Sequence, residues 1–170
     1  ACHRKEQLLP LLGRANLDVL CLQEIKALPE QVPDEVREGH GYHIAWGPAQ
    51  KKGYSGVATF SKTTPDEVIL GLGVEKFDAE GRTITTRYND LLVVNCYFPH
   101  GQRDHARLPY KTEYYRTLLA WAEERRAEGY RMVICGDWNT AHQAVDIKND
   151  RANRKTSGFT EPERALIDEY

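Results

Sequence analysis

Two carboxylates, a carboxamide and a phenol stand where apolar runs of this 170-residue chain stop. In "VICGDWNTAH" (133–142), Val133, Ile134 and Cys135 read as a buried strand interior and Gly136 permits an unusual backbone. Asp137, Trp138, Asn139 and Thr140 then emerge together. In "DVLCLQEIK" the run Val19–Leu22 is closed by Gln23, Glu24 and Lys26. In "LLVVNCYFPHG" a third run ends on Tyr97, Phe98, Pro99 and His100. Asp and Asn are also ordinary turn formers that bond their own backbone. A strand-end Glu is commonly solvated, and a Tyr there is more often core. Three apolar strands closing on Glu, Tyr and Asp-x-Asn still form a coherent set, because α/β proteins place their chemistry at the carboxyl ends of strands.

The chemistry follows from the residue types. A carboxylate without a His/Cys cluster favours a hard, oxygen-seeking ion such as Mg²⁺, with Mn²⁺ as a substitute, completed by waters and substrate phosphate. A metal held by Glu24 neutralises phosphate charge and polarises phosphorus. Asp137 is placed to orient or deprotonate water, with Asn139 holding its partners. The reaction class indicated is metal-assisted phosphodiester hydrolysis. The chain has no GxSxG elbow, no P-loop and no GxGxxG, so esterase, NTPase and dinucleotide readings lack support.

Short strand-like runs must position these residues: 18–23, 42–47, 56–61, 67–73, 82–88, 91–98 and 131–137. The alternation in Thr83-Ile84-Thr85-Thr86 suits a strand packed on one side only. Asn89-Asp90 reads as a tight hairpin turn. A strong helix is expected from about Pro109 to Glu128, burying Tyr114, Tyr115, Leu118, Leu119 and Ala122, and a weaker one over about 4–14 around Pro10. "TEPERALIDEY" reads as a capped helix start, with Thr160 three residues before Glu163. Hairpins with intervening helices indicate an α/β arrangement of packed sheets.

Composition sets the frame. The chain is 41% hydrophobic and 28% charged, which suits one globular domain over 1–170. No apolar run approaches the roughly 20 residues that span a bilayer, and no secretory core opens the chain. Cys21, Cys96 and Cys135 lie in apolar runs and read as buried thiols of a reducing cytoplasm. A formal net charge of −2 gives no global pull toward nucleic acid. A polyanion site then needs a local basic patch or metal ions.

"LQEIK", "KKGYSGVATFSK", "DAEGRTI", "NCYFPHG", "GDWNTAH" and "NRKTSGFTEPER" together resemble, in order, the exonuclease III type of apurinic/apyrimidinic (AP) endonuclease within the endonuclease/exonuclease/phosphatase superfamily. "LQE" and "GDWN" mark the superfamily, and "SGFTEPER" after "NRK" marks the AP-endonuclease branch. The resemblance implies a four-layer α/β sandwich, incomplete in this chain. It implies Glu24 as metal ligand with Lys26 its basic neighbour, Tyr97 beside the scissile phosphate, and Asp137 and Asn139 on the attacking water and the phosphate. It places Lys5, Lys26, Tyr54, His100, Arg103, Asn153, Arg154 and Lys155 on DNA backbone or abasic nucleotide, the stretch 148–155 supplying the local basic patch. The implied partner is double-stranded DNA with abasic sites or 3′ ends, acted on by a monomer in the bacterial cytosol.

The family's first strand, which carries an Asn, has no counterpart here. Nor have its closing strands with a further Asp and the Ser-Asp-His block, and His142 does not occupy the place of that His. The expectation is therefore that these 170 residues alone are inactive and that the activity belongs to the intact protein. Two rivals stand beside this reading: another phosphodiesterase or phosphatase branch of the superfamily, and a catalytically inactive DNA-binding fragment.

Overall fold

The computed structural model describes residues 5–170, with the side chain of Lys5 outside the described part, so the contact expected of Lys5 lies outside it too. The elements are α1 (Lys5–Ala15), β1 (Val19–Gln23), α2 (Asp34–Arg37), β2 (His43–Gly47), β3 (Val57–Ser61), β4 (Glu67–Leu70), α3 (Glu75–Asp78), β5 (Thr83–Tyr88), β6 (Leu91–Tyr97), α4 (Leu108–Ala127), β7 (Arg131–Asp137), α5 (Asp150–Asn153) and α6 (Glu161–Asp168). Mixed strands and helices in two separate sheets bear out the α/β class. The chain divides into two compact units. One runs to Tyr97 and takes in Glu128–Gly136; the other comprises Phe98–Ala127 and Asp137–Tyr170.

The first unit holds both sheets, ordered β1-β3-β2 and β4-β5-β6-β7. β3 lies between β1 and β2, pairs antiparallel with both, and is buried at every position, which accounts for its unbroken apolar-and-small sequence. Leu8 and Leu12 of α1 pack with Ile25, Val36, Ala58 and Phe60 in one cluster. Burying a side chain such as Phe60 contributes about 1.5–3 kcal/mol. Pro10 is accommodated inside α1.

Asn95 of β6 joins the two sheets. Its amide nitrogen donates to Leu22 O, Ala58 O and Thr59 Oγ1, at 3.3, 3.0 and 3.1 Å, and its Oδ1 accepts from Gln23 Nε2 at 2.8 Å. Gln23 immediately precedes Glu24, so this buried amide fixes the end of β1. Leaving buried polar groups unpaired costs about 1–3 kcal/mol each. Asn95→Ala is expected to destabilise the protein by at least about 2 kcal/mol, read as a lower urea midpoint; an unchanged midpoint contradicts this role.

Two strand expectations need correction. Thr83, Ile84, Thr85 and Thr86 are all buried, because β5 pairs on both sides, with β4 and β6, and both of its faces are covered. Val133, expected inside, is 51% exposed, and Ile134 and Cys135 are half-buried, because β7 is an edge strand of its sheet. Cys21, Cys96 and Cys135 are free thiols, as expected, but only Cys96 is buried; Cys21 and Cys135 are half-buried.

In the second unit α4 presents Tyr114, Tyr115, Leu118 and Ala122 inward, together with Lys111 one turn earlier. Phe98 sits among aromatic rings, stacked on Trp138 (centroids 4.4 Å apart, 17° between planes) and packed on Tyr114 and Tyr115. Among the described residues no helix is long and apolar enough to cross a membrane.

Candidate active site

In the first unit the residues around Glu24 adopt a backbone that their types do not favour. Glu24 (φ 54°) and Lys26 (φ 52°) are both left-handed and flank Ile25, which is 1% exposed. Ile25 N–H bonds Gly56 O and Lys26 N–H bonds Ser55 O, at 3.1 and 2.9 Å. Ile25 thus anchors the segment in the core while its two charged neighbours turn outward. Non-glycine left-handed residues cost on the order of 1–3 kcal/mol and cluster at functional sites.

Lys26 Nζ lies 2.8 Å from Glu24 Oε1, and both side chains are about half exposed, at 50% and 48%. The hydrogen bond from Lys26, with a second from Tyr97, holds the Glu24 carboxyl below the ordinary glutamate range despite its partial burial. Tyr97 is itself backed by Arg82, whose guanidinium carbon sits 5.1 Å from the Tyr97 ring centroid and 5.9 Å from that of Tyr54. Arg82 is 3% exposed. It donates to Tyr97 O, Tyr54 Oη and Glu80 Oε2, at 2.9, 3.2 and 2.6 Å. The unit therefore brings Glu24, Lys26 and Tyr97 together, and ties Tyr54 to Tyr97 through an arginine that pattern reading of the sequence passed over. Its only signal was a basic residue inside the "DAEGRTI" block.

In the second unit Asp137 and Asn139 form one turn. Asn139 N–H donates to Asp137 Oδ1 at 2.9 Å, and Asn139 Nδ2 donates to Phe98 O at 2.8 Å. Asn139 is left-handed (φ 49°), a conformation that Asn tolerates. The turn reading of "GDWN" is thus correct as local structure, and it leaves Asp137 Oδ2 outside that bond. Gly136 is required one residue earlier: a Cβ there would lie 1.9 Å from Cys96 O. Trp138 is structural, stacked on Phe98 with its carbonyl bonded by Tyr115 Oη at 2.6 Å.

The basic residues of this unit occupy two adjoining segments. A Cβ on Gly101 would sit 2.3 Å from Ser157 Oγ, and His105 Nε2 lies 3.1 Å from Lys155 O. The His100–His105 loop and the 153–157 segment therefore lie side by side. Arg103, Arg154 and Lys155 are exposed. Arg154 is 3.7 Å from Asp150, a surface contact of little energy. Asn153 Nδ2 is committed to Lys148 O and Asn149 O, and His100 Nδ1 accepts from Gln102 N–H at 2.9 Å. His142 pairs with Asp168 at 2.6 Å.

Among the described residues no three or more His, Cys, Asp or Glu converge. The donor set at Glu24 is a single ionised, half-exposed carboxylate. That fits a hard divalent cation completed by water and phosphate oxygens, and does not fit zinc, which needs several N or S ligands.

Comparison with known proteins gives the family of the chain. The model of the "Endonuclease/Exonuclease/phosphatase family" matches residues 1–167. An exodeoxyribonuclease of Bacillus subtilis is 40% identical over 170 residues, covering 100% of this chain and 66% of that protein. The structure of an AP endonuclease from Archaeoglobus fulgidus superposes with a TM-score of 0.88 at 28% identity, covering 98% of this chain and 64% of that one. A Neisseria 3′ phosphatase bound to a product DNA hairpin gives 0.88 at 25% identity, covering 98% and 64%. The chain therefore spans about two thirds of the length of these relatives. It belongs to the endonuclease/exonuclease/phosphatase family, with its likeness lying among the exonuclease III-type AP endonucleases.

Proposed function

We propose that the full-length protein is a Mg²⁺-dependent phosphodiester hydrolase of DNA that incises 5′ to abasic sites, trims 3′ ends, or does both. The observation that carries the proposal is the Glu24 carboxylate, held ionised at a strand end by Lys26 and Tyr97 on a backbone of unfavoured conformation. The relatives named AP endonuclease and exodeoxyribonuclease support the choice of DNA. A relative named 3′ phosphatase and bound to a DNA hairpin supports action at 3′ ends.

In this reading Glu24 holds the divalent cation, which supplies charge neutralisation at the phosphate. Tyr97, steadied by Arg82, hydrogen-bonds Glu24 and is directed at the scissile phosphate. Asp137 uses Oδ1 to hold its own turn and Oδ2 to orient water and accept its proton. Tyr54, Lys26, His100, Arg103, Asn153, Arg154 and Lys155 contact the DNA backbone or the abasic nucleotide.

The substrate half of the proposal is tested through salt. Binding to an abasic duplex should weaken linearly in log–log form with salt, with a slope of about −0.9 per phosphate contact. Neutralising Arg154 and Lys155 together, as Arg154→Gln and Lys155→Gln, is expected to reduce that slope by about 2. An unchanged slope makes them plain solvated surface.

A further inference from the structure

Lys111 and Glu163 form an ion pair with no solvent exposure on either side chain, Nζ to Oε1 at 2.7 Å. Removing two charges from water is costly, and buried pairs are often replaceable by apolar residues without loss of stability. Stability alone therefore does not account for this one. Its hydrogen bonds offer another account.

Glu163 gathers the "SGFTEPER" segment around one carboxylate. Oε1 accepts from Ser157 Oγ at 3.1 Å and from Gly158 N–H at 2.9 Å. Oε2 accepts from Gly158 N–H, Thr160 N–H and Thr160 Oγ1, at 2.8, 3.2 and 2.7 Å. The Thr160–Glu163 bonds cap α6, as the sequence spacing predicts. A cap needs no buried lysine. Lys111, however, donates a second bond, from Nζ to Asn139 O at 2.6 Å. Ala141 N–H to Gly158 O, at 2.8 Å, joins the same two segments.

Asn139 is thereby held from three sides: at its carbonyl by Lys111, at its N–H by Asp137 Oδ1, and at its amide by Phe98 O. Asn tolerates a left-handed backbone, and these three bonds fix how the residue sits within it. Burial pulls the Lys111 ammonium below its ordinary range, opposed by its hydrogen bond to Glu163 and by the charges of Glu163 and Asp137.

We propose that Lys111 and Glu163 are positioning residues for the hydrolytic reaction: through Asn139 O they fix the Asp137–Asn139 turn and so aim the Asp137 carboxylate. The inference rests on the role in hydrolysis proposed above for Asp137. It gives the "SGFTEPER" segment a mechanical role in catalysis, beyond capping a helix.

The test is the neutral double variant Lys111→Met with Glu163→Gln in the full-length protein. Gln still accepts from the N–H groups of Gly158 and Thr160, and Met fills the space, but nothing then holds Asn139 O. Expected are a kcat on an abasic duplex about 10- to 10²-fold lower, the scale of a small misplacement of catalytic groups, with KM within about twofold and an altered Asn139 side-chain amide resonance in substrate-free NMR spectra. Unchanged Asn139 resonances overturn the inference whatever the activity, and shifted resonances with full kcat overturn it too. If the wild-type protein cleaves no abasic DNA, the reaction assignment fails first, and the resonances alone decide whether the pair holds the turn. Should the double variant melt far below wild type, Lys111→Arg keeps the charge and displaces the nitrogen from Asn139, and the same two readouts apply.

Discussion

Asp137→Asn in the full-length protein is expected to lose at least about 10²-fold in abasic-site incision, the lower end of what a positioned proton acceptor contributes. The substitution isolates the charge. Asn139 N–H donates to Asp137 Oδ1, and an Asn side chain offers the same acceptor at the same place, so the turn survives. The flanking restraints also remain, because Phe98 N–H bonds the Asp137 backbone carbonyl at 2.9 Å. The melting temperature should stay within a few degrees of wild type, and DNA binding should persist, strengthened by removal of a negative charge facing phosphate. Normal turnover with a lowered melting temperature returns the stretch to a purely structural turn.

Glu24→Gln is expected to raise the Mg²⁺ concentration required for cleavage and to lower the rate by about 10²-fold or more, since metal-borne charge stabilisation is worth several kcal/mol. Measuring rate against Mg²⁺ concentration checks it, and an unchanged titration removes Glu24 from the metal. The pH dependence follows in sign. A depressed pKa keeps Glu24 charged through the neutral range. Its contribution is lost only as pH falls through that depressed value, below the roughly 4.3 of an ordinary glutamate. Lys26 Nζ lies 2.8 Å from one carboxylate oxygen of Glu24, so the same Mg²⁺ titration of Lys26→Met separates metal binding from the ion pair.

Most strands were legible because apolar runs with turn residues at both ends leave few alternatives. The expected 131–137 coincides with β7, and 91–98 overruns β6 by one residue. The expected helix from Pro109 to Glu128 is offset by one residue from α4. Exposure was less legible. It depends on which strands flank a given strand, and nothing local in Thr83–Thr86 or Val133 says that β5 is central or β7 an edge. The left-handed backbone at Glu24 and Lys26 was also hidden, since neither is a glycine or an asparagine, and it is imposed by Ile25 entering the core. Lys111 escaped notice because a lysine on an inward helix face makes sense only with Glu163, 52 positions later, known to be its partner. Arg82 likewise acts on the Tyr54 hydroxyl and the Tyr97 carbonyl, 28 and 15 positions away in sequence.

The most direct measurement is incision of a duplex carrying one abasic site by the full-length protein, with and without Mg²⁺, with both new ends mapped. Expected is a Mg²⁺-dependent cut 5′ to the abasic residue, leaving a 3′ hydroxyl end, itself open to trimming, on one side and a 5′ deoxyribose phosphate on the other. A strand left intact while the protein binds it, or hydrolysis confined to small phosphate esters, would contradict the account.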